Sequence, residues 1–111
     1  MIEIKTTERG FGIGEFKDSY GAQCSLQISS ACGNENNPNG YIWLGLSRIE
    51  PTIMNSDASR LGLPSTGSKG WTEFHIPKEV LLTSRMHLNE HQVKDLIHQL
   101  NLWLETGEFS S

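Results

Sequence analysis

One amphipathic segment near the C-terminus constrains the fold more than any other part of this 111-residue chain. Its apolar residues recur at the three- and four-residue spacing of one helix face, namely Val93, Leu96, Ile97, Leu100 and Leu104. Asn89 is a favourable N-cap, Gln92 completes a capping-box pair with it, and Gly107 follows the last apolar residue. The sequence therefore predicts a helix from Glu90 to Glu105.

Alternation of apolar and polar residues predicts several strands before this helix. The predicted strands are residues 1–6, 10–17, 22–29, 41–46 and 71–76. A turn at 18–21 joins two of them into a hairpin. We therefore predict an α+β fold, an antiparallel sheet of about five strands with one long C-terminal helix packed on it. The chain length predicts a single domain, residues 1–111, in which residues 48–70 show no clear periodicity.

The composition excludes several functional classes. The chain has 9 Lys and Arg against 13 Asp and Glu, a net charge of −4, which argues against duplex nucleic acid as a partner. No apolar run approaches the roughly 18 residues of a membrane span. Two cysteines without metal-ligand spacing are typical of reduced thiols, so we expect a cytoplasmic protein.

No local pattern indicates a metal, a cofactor or a catalytic group. His87 and His91 are four residues apart, but the predicted cap Asn89 places His87 outside the helix. The glycines of residues 10–14 lack the spacing of a phosphate loop and are read as part of a strand. We therefore expect a protein that is not an enzyme and that carries neither metal nor cofactor.

Candidate ligand-binding residues lie directly before the predicted helix. Arg85 precedes a helix N-terminus, where free N–H groups favour anions, and its guanidinium can hold a phosphate. Met86 and His87 can pack on a base or ribose. The alternatives remain open that Arg85 pairs with a surface carboxylate and that Met86 belongs to the core.

Four further residues offer donors or a stacking surface in the first third of the chain. Ser29 and Ser30 close a strand and can offer hydroxyl and N–H groups to an anion, or can simply form a turn. Phe11 can stack on a nucleobase, and Arg9 is a further cation beside a loop.

Several segments together carry a resemblance to a known family. They are residues 6–11 (TTERGF), 15–21 (EFKDSYG), 27–31 (QISSA), 42–45 (IWLG), 85–88 (RMHL) and 105–108 (ETGE). The succession resembles small proteins of tailed phages and prophages, and most of all the first family of Thoeris anti-defence proteins. The resemblance spans most of the chain except residues 48–70.

The resemblance implies a phage anti-defence function. Members of that family are sponges that bind cyclic ADP-ribose isomers made by bacterial TIR proteins and hold them without cleaving them. Some also hold cyclic oligonucleotides of the CBASS systems. The family forms homo-oligomers with ligand sites between subunits, and the resemblance extends to Arg85, Met86 and His87, and to Ser29, Ser30 and Arg9, as ligand-binding residues.

Two other classes of function remain as alternatives. A small phage protein could instead bind and inhibit a host protein, as anti-CRISPR proteins and transcription inhibitors do. The acidic residues are scattered rather than arranged in a phosphate-like row, which counts against mimicry of nucleic acid. A hydrolase that destroys the signal is the third reading.

Overall fold

The computed structural model describes residues 1–110 and combines strands with two helices. The elements are β1 (Ile4–Thr6), β2 (Gly12–Lys17), β3 (Gln23–Ile28), β4 (Ile42–Leu46), β5 (Thr52–Met54), α1 (Asn55–Arg60), β6 (Trp71–Glu73), β7 (Arg85–Leu88) and α2 (Glu90–Thr106). Five strands form an antiparallel sheet in the order β1-β2-β3-β4-β7. The predicted α+β class, with a five-stranded antiparallel sheet and a long C-terminal helix, is confirmed.

The chain divides into two compact units. Residues 1–47 and 84–110 form the first, which holds the five-stranded sheet and α2. Arg48–Thr83 forms the second, in which β5 and β6 pair and α1 follows β5. The segment without periodicity thus contains short elements of its own, and the expectation of a single domain stays a prediction.

A buried amide organises the second unit. Asn55 is 1% exposed, and its Nδ2 donates to the Lys69 carbonyl oxygen at 2.6 Å. The Thr72 hydroxyl donates to Asn55 Oδ1 from strand β6. A buried amide bonded on both sides ties the loop before β6 to the start of α1.

The fifth strand of the main sheet is not the one predicted. The segment 71–76 forms only the three residues of β6 and pairs with β5. The main sheet is completed instead by β7, which pairs with β4. β7 has four residues and leads directly into the helix cap, so its alternation was too short to be recognised as a strand.

The glycines of β2 allow close packing on one side of the sheet. A Cβ at Gly14 would come within 2.6 Å of Ile2 Cγ2 and 2.8 Å of Ile4 Cδ1. The predicted strand over residues 10–17 is therefore confirmed for Gly12–Lys17, and Gly10 and Phe11 belong to the turn before it. The absence of a side chain at Gly14 has a packing reason.

Helix α2 begins and ends as its capping residues predict. Gln92 N–H donates to Asn89 Oδ1 at 2.9 Å, and Asn89 N–H donates to Gln92 Oε1 at 3.0 Å, which completes the capping box. Gly107 terminates the helix with a left-handed φ of 79°. The predicted start at Glu90 is correct, and the end lies one residue beyond Glu105, at Thr106.

The expected packing of this helix on the sheet is wrong for the single chain. No residue of α2 is buried, and Ile97, Trp103 and Leu104 expose 54%, 51% and 73% of their surface. The cause lies at the junction, where Asn89 alone separates β7 from α2. This connection is shorter than the roughly 2–6 residues usual between a strand and the next helix, so it leaves little chain with which to turn the helix back over the sheet.

Candidate functional site

One face of the main sheet, here called the polar face, carries polar and aromatic side chains. The face follows from strand register, because Trp43 lies opposite both Gln27 and His87, and Gly45 lies opposite both Ser25 and Arg85. Tyr41 and Ser29 continue the same face just beyond the ends of β4 and β3. Three neighbouring strands, with the residues just beyond their ends, therefore place chemistry-bearing groups side by side.

The Arg85 side chain crosses strand β4 at a glycine. Its Nη1 donates to Gln27 Oε1 at 2.7 Å and to Ser25 Oγ at 3.5 Å, both on β3. Its Cζ lies 5.3 Å from the centroid of the Trp43 ring. Gly45 stands between Arg85 and Ser25 in the ladder and has no side chain to block this path.

The charge of Arg85 has only neutral partners. The residue is half-buried, and Gln27, Ser25 and the Trp43 ring carry no formal charge. The ion pairs among residues 1–110 join other residues, namely Arg48 with Glu50, Arg60 with Asp57, and His91 with Asp95. A partly buried guanidinium without a carboxylate partner favours an incoming anion, because burial weakens its hydration.

A stack of rings continues the site beside Arg85. The His87 ring lies 4.8 Å from the Tyr41 ring at an interplanar angle of 17°, and 4.2 Å from the Trp43 ring at 40°. His87 Nε2 is 2.9 Å from Ser29 Oγ. Ser29 is 7% exposed, and its Oγ also accepts the Ala31 N–H at 3.1 Å. The Ser29 hydroxyl is therefore hydrogen-bonded both to the His87 imidazole and to the backbone of the loop that follows β3.

A cleft of about 440 Å³ adjoins this group on the polar face. It is lined by Thr7, Glu8, Arg9, Phe11, Gln27, Ser30 and Trp43. Gln27 and Trp43 belong both to the cleft and to the surroundings of Arg85. The cleft and the arginine therefore form one continuous site, of a size typical of small-ligand pockets.

The turn between β1 and β2 builds the far wall of the cleft. Thr7 N–H donates to the Phe11 carbonyl at 2.7 Å, and Phe11 N–H donates to Thr7 Oγ1 at 3.0 Å. Gly10 has φ 90°, a left-handed conformation that glycine adopts without strain. This turn places the Arg9 guanidinium carbon 5.7 Å from the Phe11 ring centroid.

Six of the seven predicted ligand-binding residues lie at this site. Arg85, His87 and Ser29 form its first part, and the cleft contains the others, Arg9, Phe11 and Ser30. Met86 is the exception. It lies opposite Leu44 in the ladder and therefore points to the other face of the sheet, because neighbouring residues of a strand alternate.

The helix N-terminus does not provide the anion site that was expected. Asn37 Oδ1 accepts the Glu90 N–H at 2.8 Å, and the Glu90 carboxylate accepts from the Asn39 N–H and Nδ2 at 2.9 and 2.8 Å. Asn89 Oδ1 accepts a hydrogen bond from the Gln92 N–H. The side chains of Asn37, Asn89 and Glu90 therefore already occupy the N-terminal end of α2. The Arg85 guanidinium lies over the Trp43 ring and not at the helix end.

Ser25, Gln27 and Gly45 also belong to the site and were not predicted from the sequence. The sequence does contain a pattern that could have indicated two of them, because Ser25 and Gln27 lie on the polar side of a strand whose apolar and polar residues alternate regularly. The sequence does not show that β7 lies two strands away from β3, so it could not place Arg85 near Ser25 and Gln27. Only the pairing of β7 with β4 shows this.

Three observations limit the chemistry that the described residues 1–110 can carry out. No group of three or more His, Cys, Asp or Glu side chains lies close enough to bind a metal ion. Cys24 is buried and Cys32 is exposed, and both are free. Neither helix in this part of the chain has the length and apolar character to cross a bilayer.

Comparisons with protein-family models, with curated proteins and with solved structures found no match to this chain.

Proposed function

We propose that the polar face binds a small nucleotide that carries phosphate, and holds it without cleaving it. The class of ligand is a cyclic nucleotide immune signal, either a cyclic ADP-ribose isomer or a cyclic oligonucleotide. A phage protein that sequesters such a signal would act in the cytoplasm of the host cell and would block the immune response by stoichiometric capture.

The observation that carries this proposal is the half-buried Arg85 guanidinium with neutral partners only. A phosphate beside it would gain charge-assisted hydrogen bonds of about 1.5–3 kcal/mol. The planar fork suits two phosphate oxygens, which a lysine ammonium cannot match. Arg9 at the far wall of the cleft is a second donor for a ligand that spans the cleft.

The rings supply the second component that a nucleotide needs. Trp43 lines the cleft and contacts the His87 ring, and Phe11 lies opposite along the turn. Stacking of a base on an aromatic side chain contributes about 1–3 kcal/mol. A nanomolar Kd needs about 12 kcal/mol, so the arginine, the stack and the cleft must act together.

The contacts of Ser29 support binding over hydrolysis. A serine beside a histidine could in principle be a nucleophile and its base. Here Ser29 is 7% exposed and its oxygen also accepts the Ala31 N–H, so the hydroxyl is engaged at the strand end and is poorly placed to attack a ligand.

The proposal is tested by measuring the melting temperature with a panel of cyclic ADP-ribose isomers and cyclic oligonucleotides. A ligand at 100 times its Kd adds about 2.7 kcal/mol, which shifts a domain of this size by several degrees. Calorimetry then compares Arg85→Gln with Arg60→Gln, an exposed arginine paired with Asp57. We expect a tenfold or greater loss of affinity for the first variant only.

A second measurement separates capture from hydrolysis and from protein binding. The protein is incubated with the bound ligand and then heat-denatured, and the ligand is analysed by chromatography. Intact ligand in stoichiometric amount supports capture, and a converted product contradicts it. If no member of the panel raises the melting temperature, the proposed function is wrong, and inhibition of a host protein becomes the leading alternative.

A further inference from the structure

The His87 side chain crosses strand β4 on the polar face. His87 is the ladder partner of Trp43, yet its Nε2 lies 2.9 Å from Ser29 Oγ, just beyond the end of β3. The Ser29 N–H donates to the Tyr41 carbonyl at 3.0 Å, so Ser29 lies beside Tyr41 and not beside Trp43. To reach Ser29 from β7, the imidazole has to pass over β4 in the gap between Tyr41 and Trp43. The ring distances agree, because the imidazole centroid is 4.8 Å from the Tyr41 ring and 4.2 Å from the Trp43 ring.

The Trp43 indole is therefore flanked on both sides along β4. His87 lies on the side of Trp43 that faces Tyr41. Arg85 crosses β4 on the other side, at Gly45, and its Cζ lies 5.3 Å from the indole centroid. Aromatic and cation–π contacts of this kind depend on the position and tilt of the rings. A displacement of the indole would therefore also displace the guanidinium that lies against it.

The imidazole of His87 has little surface left for a ligand. One ring face stacks on Tyr41 at an interplanar angle of 17°, the Trp43 ring lies against the other, and Nε2 is engaged with Ser29. Its exposed surface is therefore the outer edge of the ring. The anchor at the far end is itself fixed, because Ser29 is 7% exposed and its Oγ also accepts the Ala31 N–H at 3.1 Å. These contacts suit a side chain that orders its neighbours more than one that binds a guest.

We propose that His87 is a positioning residue of the ligand site, which holds the Trp43 indole against the Arg85 guanidinium and so fixes the guanidinium beside the cleft. The inference rests on the proposed function, and it replaces the direct ligand contact that the sequence predicted for His87. Without the imidazole, the gap between Tyr41 and Trp43 is open, and the indole is free to turn into it and away from Arg85. The contact requires a planar ring and not a charge, because its neighbours are two rings and a hydroxyl.

The first test measures the environment of Trp43 in the protein without ligand. The other two tryptophans, Trp71 and Trp103, expose 63% and 51% of their surface and are replaced by phenylalanine, so that Trp43 alone contributes indole fluorescence. In this background, His87→Ala should shift the emission to longer wavelength and raise the bimolecular acrylamide quenching constant about twofold or more, because one side of the indole loses its cover. His87→Phe keeps a planar ring in the gap and should leave both quantities nearly unchanged. The matched control is His91→Ala, which alters an exposed histidine of α2.

The second test measures binding by calorimetry, with cyclic ADP-ribose and cyclic di-AMP as probes. For a probe that the wild-type chain binds, His87→Ala should weaken affinity about tenfold or more, whereas His87→Phe should stay within about threefold of wild type. A double-mutant cycle then shows whether His87 acts through Trp43. In a Trp43→Leu background, His87→Ala should change affinity by less than about twofold, whereas a direct contact of His87 with the probe would give the same loss in both backgrounds.

Two results would overturn the proposal. One is a His87→Ala chain in which the emission and quenching of Trp43 are unchanged, and the other is a His87→Phe chain that loses as much affinity as His87→Ala, which would make His87 a ligand contact. Far-UV circular dichroism checks the fold of each variant. If His87→Ala does not fold, His87→Gln takes its place, because it can keep the bond to Ser29 but not the ring. If neither probe binds the wild-type chain, the proposed function loses its support, and the fluorescence still decides whether His87 holds Trp43.

Discussion

Gly45 is a position where the addition of a single methyl group should affect both the fold and the site. A Cβ at Gly45 would lie 2.6 Å from the Ser84 carbonyl oxygen and 2.8 Å from Arg85 Cα. Both are backbone atoms of the segment that pairs with β4, so they cannot rotate away. The φ of 152° adds backbone strain for any residue with a side chain.

We expect Gly45→Ala to lower the free energy of unfolding by about 2–6 kcal/mol. Strain contributes about 1–3 kcal/mol, and the forced shift of the β7 backbone contributes a similar amount. Ligand affinity should fall as well, because the shift moves Arg85 away from Gln27. Urea unfolding followed by far-UV circular dichroism measures the loss of stability. If the free energy of unfolding falls by about 1–2 kcal/mol per molar urea, the midpoint of unfolding should be lower by about 1 M or more.

Two other glycines provide graded controls. At Gly14 the Cβ would clash with methyl groups of the Ile2 and Ile4 side chains, which can move, and would lie at an ordinary 3.7 Å from the Glu3 carbonyl oxygen, so Gly14→Ala should cost about 1 kcal/mol. At Gly67 the nearest atom is 4.0 Å away, so Gly67→Ala should be neutral or slightly stabilising. A Gly45→Ala variant as stable as the Gly67→Ala variant would refute the reasoning.

Three further predictions concern the second unit and the cleft. Asn55→Ala should lower the free energy of unfolding by about 2 kcal/mol in urea titration, because it removes the buried amide that bonds the Lys69 carbonyl and the Thr72 hydroxyl, and an unchanged midpoint would contradict this. Replacing Arg48–Thr83 by a short Gly-Ser linker should leave a cooperatively folded sheet unit by circular dichroism, because Ser84 Oγ donates to the Leu46 carbonyl at 3.0 Å and the cut ends are adjacent. Glu8→Gln should raise calorimetric affinity for an anionic ligand severalfold by removing a carboxylate from the cleft, whereas a loss would mean that Glu8 binds a ligand hydroxyl.

Sequence patterns within one segment correctly predicted those helices and strands that are specified by residues of the same segment. The capping box at Asn89, the terminal Gly107 and the apolar stripe are all within one helix, and the helix follows them to within one residue. The alternation of residues 22–29 likewise specified β3. By contrast, β7 is defined by its hydrogen bonds to β4, which begins more than forty residues earlier. Four residues of alternation are too few to reveal such a partner.

The site could be predicted in its residue types but not in its geometry. Arg85 was a candidate because it precedes a helix, yet its guanidinium lies across Gly45, and the Asn37 and Glu90 side chains occupy the helix end. Met86 was a candidate because it adjoins Arg85 in sequence, and the strand periodicity places it on the other face for the same reason. Adjacent residues share a site on a loop and are separated on a strand.

Strand β7 separates the residues of the ligand site from those on the other side of the sheet. Arg85 and His87 face the ligand site, whereas Met86 and Leu88 face the opposite side. Arg85→Gln should therefore lose ligand, and Met86→Glu should keep a measurable ligand site. The resemblance implied a site shared between subunits, for which linkage requires that ligand strengthen association. Sedimentation with and without saturating ligand tests this expectation, because an association constant unchanged by ligand contradicts a shared site and a constant raised tenfold or more supports one.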